Sequence, residues 1–473
     1  MNSPSDRARR AQLNTFLAVS ALLSAIGTYC ALSMAPGSVW DDHLQAGQKL
    51  LAGVAPEVPA YPIWGFSLLA GLFGPSLIWL QAVGAVVVAG FWFHTLTRKL
   101  PVVAGWRSGQ GFAVLLALAM APWFAVAASY YSNSMACILG LAATCLLWRS
   151  LDSDRWLPWT LASALTFGIA ANIRTEFLLI TLLLAIAIVA AAPLIAGSTW
   201  LQRAVRAAVF LAVTFVALVP WSIYTHATTG EYRLTSSNSS ASYYLGLGVL
   251  PNNPWGVVLN DDFVDKLVQD KVGAKSAPTL LGEQYLKAAF KDAIAAHPGA
   301  FAKRVVYGWR VMLLQGFYVP NMRLIWAATP EDSLLMSLAV ERFKQAASLS
   351  VNWYAIKEAE SRGVDLNALR AEHYVLLGAE TLLRVVYVLL MLGLIVAFLW
   401  RFSSRLLHRL PLGFADSIAA VYIVHLFFVA GFIQTSPRHS TLVLPALLGA
   451  LALAWLRDAP RVQTNAPVQR ATQ

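Results

Sequence analysis

The chain has 473 residues, of which 58% are hydrophobic and only 12% are charged, and its formal net charge is +11. About a quarter of the residues in a soluble globular domain are charged, so this composition excludes an ordinary soluble protein and predicts a polytopic membrane protein. An excess of lysine and arginine in such a protein points first to basic cytoplasmic loops, and we expect no nucleic-acid partner.

The apolar runs predict an all-α fold with ten membrane crossings, because about 20 apolar residues suffice for one crossing. An even number of crossings places both termini on the same side of the membrane. The predicted spans are 13–35, 75–97, 110–128, 133–148, 156–172, 176–195, 207–225, 376–400, 413–433 and 440–456.

Basic residues are distributed unequally between the two sets of loops, which predicts the orientation. The short loops on one side hold only Lys49, Arg174 and Arg438, and we place that side outside. The loops on the other side, predicted to be cytoplasmic, hold sixteen: Arg7, Arg9, Arg10, Arg98, Lys99, Arg107, Arg149, Arg155, Arg203, Arg206, Arg401, Arg405, Arg409, Arg457, Arg461 and Arg470.

These loops divide the chain into four predicted parts. Residues 1–225 form the first seven crossings, and residues 36–74 within them form the first outer loop. Residues 226–375 form one large region outside the membrane, residues 376–456 form the last three crossings, and residues 457–473 form a cytoplasmic tail. The only sizeable extramembrane part of the protein is therefore expected on the outer side.

The first outer loop carries an acidic pair, Asp41 and Asp42, directly after the first apolar run. Charge close to hydrocarbon is costly and usually faces a partner or a substrate, although a solvated acidic loop would also fit. The segment ending at Leu51 and the segment 63–73 are predicted to be short interfacial helices, because each is too short to span. The acidic pair is then held at the membrane surface.

Two arginines, Arg174 and Arg438, lie in very short outer turns, against the usual charge bias. Each is expected to have an anionic partner. For Arg174 the alternatives are an anionic ligand or an ion pair with Glu176, and for Arg438 they are a ligand or lipid headgroups.

The large outer region contains an irregular polar stretch, 235–242, and an amphipathic helix over 282–296. The run 301–319 includes Lys303, Arg304 and Arg310, so we expect it to lie along the interface rather than to be buried. Asp261, Asp262 and Asp265 are interpreted as a solvated face without a metal. Cys30, Cys137 and Cys145 are interpreted as small core residues.

The order of these features resembles that of bacterial GT-C glycosyltransferases, in the branch that includes lipid A aminoarabinose transferases and protein O-mannosyltransferases. The resemblance covers nearly the whole chain, although each motif is short. The motifs that carry it are Asp41-Asp42, Leu50-Leu51-Ala52-Gly53, Tyr61-Pro62, Phe73-Gly74-Pro75, Asn172-Ile173-Arg174-Thr175-Glu176, Pro220-Trp221, Asn252-Asn253-Pro254, His297-Pro298-Gly299, Arg438-His439 and Leu444-Pro445.

The resemblance implies transfer of a sugar from a polyprenyl-phosphate carrier to a hydroxyl acceptor, at the outer face of a bacterial inner membrane. Asp41 would act as the general base and Asp42 would orient the acceptor or the base. Cations close to the leaving phosphate would stabilise its charge. The resemblance leaves a divalent cation open and implies no other cofactor. The residues it places at the phosphate and around the substrates are Arg438, Arg174, His43, Tyr61 and His439.

Two positions depart from the family pattern. Thr175 replaces the usual proline, and Asn133 stands where many relatives carry an acidic residue in the second outer loop. An asparagine cannot act as a base or bind a cation strongly. A catalytically silent scaffold therefore remains an alternative. A lipid or polysaccharide transporter is another, because transporters also place charged residues near membrane helices, although they usually show two related halves and ionisable residues near the midplane.

Overall fold

The fold is known from a computed structural model, and every regular element in the described part of the chain is helical. The structure describes residues 4–32, 38–58, 61, 64–98, 106–127, 129, 132–190, 199–315, 330–346, 356, 359–410, 412–433 and 441–458. The prediction of an all-α polytopic membrane protein is confirmed at this level.

Two short 3-10 turns, Gly74–Ser76 and Leu366–Ala368, accompany the α-helices. In chain order the α-helices are α1 (Pro4–Leu32), α2 (Ser38–Leu51), α3 (Trp64–Phe73), α4 (Leu77–Thr97), α5 (Trp106–Ala119), α6 (Ala121–Ala127), α7 (Ser132–Leu151), α8 (Trp156–Ala171), α9 (Glu176–Ala190), α10 (Trp200–Val216), α11 (Val219–Thr229), α12 (Ser239–Leu247), α13 (Asp261–Val272), α14 (Leu280–Ala296), α15 (Pro298–Gln315), α16 (Pro330–Ala346), α17 (Ala371–Leu407), α18 (Phe414–Phe432) and α19 (Leu444–Asp458).

Each of the ten predicted spans overlaps an apolar helix, but the helices differ in length. The helices Gly109–Ala119 and Ala121–Ala127 meet at a bend of 48°. If the two are taken together as one span, they add a seventh candidate to the six long helices named below. Three shorter apolar helices, Trp156–Ala171, Glu176–Ala190 and Leu444–Ala454, have between 10 and 17 residues. Ten crossings therefore stay a prediction. The six described helices that are long and apolar enough to cross a membrane are Asp6–Leu32, Trp64–Thr97, Ser132–Leu151, Trp200–Thr229, Ala371–Leu407 and Phe414–Phe432.

Small residues and aromatic rings let the apolar helices pack closely. Phe16 of α1 stacks on Phe93 of α4, with ring centroids 4.3 Å apart. The hydroxyl of Ser24 donates to the carbonyl of Ala82 over 3.0 Å, which joins the same two helices. Close approach of backbones and hydrogen bonds between helices are the usual source of helix association in lipid.

The basic residues gather at one end of the bundle, which we call the basic end. The charges of Arg9, Arg98 and Arg149, from three different helix termini, all act on His94. The guanidinium of Arg149 also lies 4.6 Å from the ring centroid of Trp159. This gathering agrees with the grouping of basic residues in the predicted cytoplasmic loops, while the orientation in a membrane stays a prediction.

Helices α12, α13 and α14 form a separate small unit, which we call the α12–α14 unit (residues 239–296). Its core consists of buried apolar side chains from all three helices, and Tyr244, Phe263 and Tyr285 pack around it. The unit is therefore held by its own hydrophobic core. Buried members of that core are Ala241, Leu245, Val264, Val268, Ala274, Ala277 and Leu286.

The structure tests three predictions for residues 235–319. The amphipathic helix over 282–296 is confirmed as α14. The prediction of irregular structure over 235–242 is wrong for its second half, because α12 begins at Ser239. Ser and Asn are common at helix starts. The expectation for 301–319 is wrong for Arg304, whose side chain is fully buried in α15.

Candidate active site

The acidic pair lies in a helix rather than in an extended loop. Helix α2 begins at Ser38, earlier than the sequence indicated, and Asp41 falls in its first turn. Both carboxylates are exposed, and a negative charge near a helix N-terminus is favourable. Partial burial and the neighbouring Asp41 charge raise the pKa of Asp42. Adjacent side chains of a helix point about 100° apart, so both can reach the same solvent-filled space.

His43 follows the acidic pair but points into the protein. Its Nδ1 lies 2.9 Å from the hydroxyl of Ser67, and its ring packs edge-on against Phe66. Burial, and then the positive charge of Arg174, lowers its pKa from 6.5 to about 4. At neutral pH His43 is a neutral group that joins α2 to α3.

Two glycines bring α2 and α3 into backbone contact. A Cβ on Gly47 would lie 1.9 Å from the carbonyl oxygen of Ser67, and one on Gly71 would lie 2.6 Å from the carbonyl carbon of Gly47. Trp40 is buried and packs edge-on against Phe66, with centroids 6.1 Å apart. The two helices thus form a rigid platform for the acidic pair.

The platform contacts the turn that carries Arg174. The amide of Gly65 donates to the carbonyl of Asn172 over 3.1 Å. A Cβ on Gly65 would lie 2.5 Å from that same oxygen, so only glycine permits this approach. Residues more than a hundred positions apart are thereby held together.

Arg174 forms an ion pair with Glu176, the alternative that the sequence offered. Its Nε lies 3.2 Å from Oε1 and its Nη2 lies 3.4 Å from Oε2. The Arg174 side chain is 26% exposed, whereas that of Glu176 is 10% exposed. A guanidinium carries five N–H donors in a planar fork, a geometry that suits phosphate as well as carboxylate oxygens.

Tyr61 lies within electrostatic reach of Asp42, Asp261 and Arg174. Burial, followed by the charges of Asp42 and Asp261, raises the pKa of Tyr61 to about 12, while Arg174 acts in the opposite direction. Its phenol is therefore protonated at neutral pH. We call the part of the protein that carries Asp41, Asp42, Tyr61 and Arg174 the rim.

The acidic face of α13 reaches the rim, where the charge of Asp261 acts on Tyr61. Asp261 is exposed, and Asp265 accepts a 2.7 Å hydrogen bond from the amide of Ala277. No group of three His, Cys, Asp or Glu side chains among the described residues could hold a metal ion.

A small apolar cavity of about 20 Å³ lies inside the helix bundle, large enough for one water-sized group. The hydroxyls of Thr144 and Tyr422 lie 2.9 Å apart within its wall. Cys137 and Cys145, which line it, are buried free thiols, as is Cys30 elsewhere, and this confirms their interpretation as core residues. The rest of the lining includes Trp92, Trp123, Trp148 and Phe177.

Two buried polar residues were not singled out as functional from the sequence. His425 of α18 is fully buried, and neither ring nitrogen has a hydrogen-bond partner in the described part of the chain. The side-chain Oδ1 and Nδ2 of Asn133 are likewise buried without a hydrogen-bond partner in the described part of the chain. The charges of Glu176 and Arg174 act on His425. An ionisable residue inside an apolar run was the signal that could have identified His425.

Four of the seven residues singled out from the sequence come together: Asp41, Asp42, Tyr61 and Arg174 line the rim, and His43 supports it from inside. Arg438 and His439 lie outside the described residues. No family model matches the chain, and it matches no curated protein and no solved structure. The fold and the site define a class of protein, a helical membrane protein with an acidic rim.

Proposed function

We propose that the protein is an integral-membrane glycosyltransferase. It moves a sugar from a polyprenyl-phosphate donor to the hydroxyl group of a lipid, glycan or protein, at the outer face of a bacterial inner membrane. The observation that carries the proposal is that Asp41 and Asp42, in the first turns of α2, stand on a platform that is hydrogen-bonded to the turn carrying Arg174. The resemblance of the sequence motifs to GT-C transferases supplies the reaction class.

The acidic pair suits the acceptor side of this reaction. The acceptor oxygen forms a bond to the anomeric carbon, while the bond from that carbon to the phosphate oxygen breaks and leaves its electron pair on the phosphate. The hydroxyl proton passes to Asp41, which is exposed on the rigid α2–α3 platform. The products are the glycosylated acceptor and polyprenyl phosphate.

Arg174 suits the phosphate side. A guanidinium fork pairs well with phosphate oxygens, and its charge stabilises the leaving group as negative charge develops there. Glu176 holds the arginine in place from one side. Tyr61, protonated at neutral pH, can donate a hydrogen bond to substrate at the same rim. Arg438 and His439 join this group on the strength of the motif resemblance alone.

A second candidate is transport of a lipid-linked sugar across the membrane. The observation that favours it is His425, an ionisable side chain in the interior of a candidate membrane span without a hydrogen-bond partner among the described residues. Ionisable residues in such positions are common along transport pathways.

The two candidates differ in their products, which an analysis of whole cells separates. Lipid and glycan fractions from deletion and complemented cells are compared by mass spectrometry. If the protein is a transferase, the acceptor lacks its sugar in deletion cells, and complementation with Asp41→Asn does not restore the sugar. If the protein is a transporter, Asp41→Asn should restore the sugar on the acceptor as well as the wild-type chain does, and that result would favour the second candidate.

A further inference from the structure

Arg304 is the most completely buried charged side chain among the described residues, and it contacts backbone carbonyls rather than a carboxylate. Its Nε donates to the carbonyl of Gly246 over 2.6 Å, and its Nη1 donates to that of Ala430 over 3.1 Å. The guanidinium also donates to the carbonyls of Gly431 and Ile433. Burial lowers its pKa to about 10, so it stays charged at neutral pH.

The positions of these carbonyls explain why a charge is tolerated there. Gly246 lies in the last turn of α12, and Ala430 and Gly431 lie in the last turn of α18. The last carbonyls of a helix have no partner within it and carry the negative end of the helix dipole. Arg304 therefore neutralises the C-terminal ends of two helices at once.

The contact needs glycine on both helices. A Cβ on Gly246 would lie 2.7 Å from the carbonyl oxygen of Ile433 and 2.9 Å from Nη2 of Arg304. A Cβ on Gly431 would lie 3.0 Å from Nε1 of Trp309, which itself donates to the carbonyl of Phe427 over 2.8 Å. Among the described residues, Arg304 and Trp309 thus make the polar contacts of α15 with α18, and Arg304 extends the contact to α12.

We infer that Arg304 is a positioning residue that anchors the α12–α14 unit on the end of α18 and so sets the place of Asp261 beside Tyr61 and Asp42. The unit has its own core, so its position depends on contacts with the bundle. Among the described residues, two ion pairs also connect the unit to the rest of the chain. Glu283 of α14 pairs with Arg233, which follows α11, and Lys275 forms an exposed pair with Glu57 of the first outer loop, 2.7 Å apart. Exposed pairs contribute little, and the Arg233–Glu283 pair holds α14, so the buried guanidinium is the polar contact that ties α12 to the end of α18.

The consequence for catalysis rests on the proposed function. Displacement of the α12–α14 unit would change the surroundings of Asp42 and Tyr61, where the acceptor is proposed to bind, and would leave the contact between Arg174 and Glu176 intact. Acceptor KM should therefore rise, while affinity for a lipid phosphate should not change.

The Lys275–Glu57 pair provides a reporter that does not depend on activity. Cysteines are introduced at both positions, and the rate of cross-linking by a short bismaleimide reagent is measured in the full-length protein. Background reaction is low because Cys30, Cys137 and Cys145 are buried. We expect Arg304→Met to slow cross-linking several-fold and Arg304→Lys to slow it less. Arg310→Met, an exposed arginine on the same helix, should have no effect.

Gly246→Ala tests the same contact without removing the charge, and it serves if Arg304→Met fails to fold. It should slow cross-linking in the same direction. Wild-type cross-linking rates in Arg304→Lys and Gly246→Ala would overturn the inference. If the wild-type protein transfers no sugar, the proposed function fails, and the cross-linking rates still decide whether Arg304 positions the unit.

Discussion

The indole Nε1 of Trp64 and the amide Oδ1 of Asn172 lie 2.9 Å apart and form a hydrogen bond between α3 and the turn before α9. The Nδ2 of Asn172 donates in turn to the carbonyls of Gly168 and Ala217, over 3.0 and 2.8 Å. One amide side chain thus joins three parts of the bundle. It holds the turn with Arg174 against the platform with Asp41.

Replacing Asn172 by leucine should therefore destabilise the protein. The change removes three hydrogen bonds and leaves buried polar groups unsatisfied, which costs about 1–3 kcal/mol for each such group. We expect a clear fall in the thermal unfolding midpoint of the detergent-solubilised protein. Asn367→Leu, at an exposed position, is the matched control and should change little. Equal midpoints for both variants would show that this amide does not join the elements.

His43 should make the protein sensitive to acid. Its folded pKa of about 4 lies below its ordinary value of 6.5, so the unfolded chain binds more protons between these two pH values. Its contribution to stability is complete above pH 6.5 and is lost as pH falls towards 4, by about 2 kcal/mol at pH 5. His43→Asn, which can keep a hydrogen bond to Ser67 but does not titrate, should unfold with a weaker pH dependence.

The test compares thermal unfolding at pH 7.5 and pH 5 for the wild-type protein, for His43→Asn and for His297→Asn, which alters an exposed histidine. Only the His43 variant should show a reduced difference between the two pH values. A difference as large as that of the wild-type protein would contradict the assignment of acid sensitivity to His43.

The sequence was sufficient for the membrane class, the helical regions and the gathering of basic residues at one end, because these follow from hydropathy and charge counts. It was not sufficient for the state of Asp41 and Asp42, since whether α2 begins before or after the pair depends on packing of Trp40 against Phe66. The burial of Arg304 could not be predicted from the sequence either. The carbonyls that the guanidinium meets lie far away in the chain and carry no signal in side-chain composition.

Arg174 is proposed to bind the donor phosphate, so Arg174→Ala should weaken the binding of undecaprenyl phosphate. Loss of a hydrogen bond to a charged group costs about 1.5–3 kcal/mol, which corresponds to roughly a tenfold to hundredfold loss of affinity. Arg155→Ala, at the basic end, is the control. Binding is measured with purified protein in nanodiscs. Wild-type affinity in Arg174→Ala would exclude a phosphate role for this arginine.

The predicted orientation places Lys275 outside the cell and Asp154 inside it. Both positions are exposed, and the native cysteines are buried. A membrane-impermeant maleimide applied to intact spheroplasts should label Lys275→Cys and should label Asp154→Cys only after lysis. Labelling of Asp154→Cys alone in intact spheroplasts would reverse the orientation and would place the rim in the cytoplasm.

The release of polyprenyl phosphate from a lipid-linked sugar pool tests the transferase account most directly. Purified protein in nanodiscs is supplied with the donor and acceptor lipids extracted from host membranes, and the products are measured by mass spectrometry. The wild-type protein should convert donor to polyprenyl phosphate. Asp41→Asn should be slower by about a hundredfold or more, the usual size of a general-base contribution, and Asp42→Asn should lose less. Asp154→Asn, at the basic end, should match the wild-type rate. Donor that stays intact with the wild-type protein, or an Asp41→Asn variant as fast as the wild type, would contradict the account.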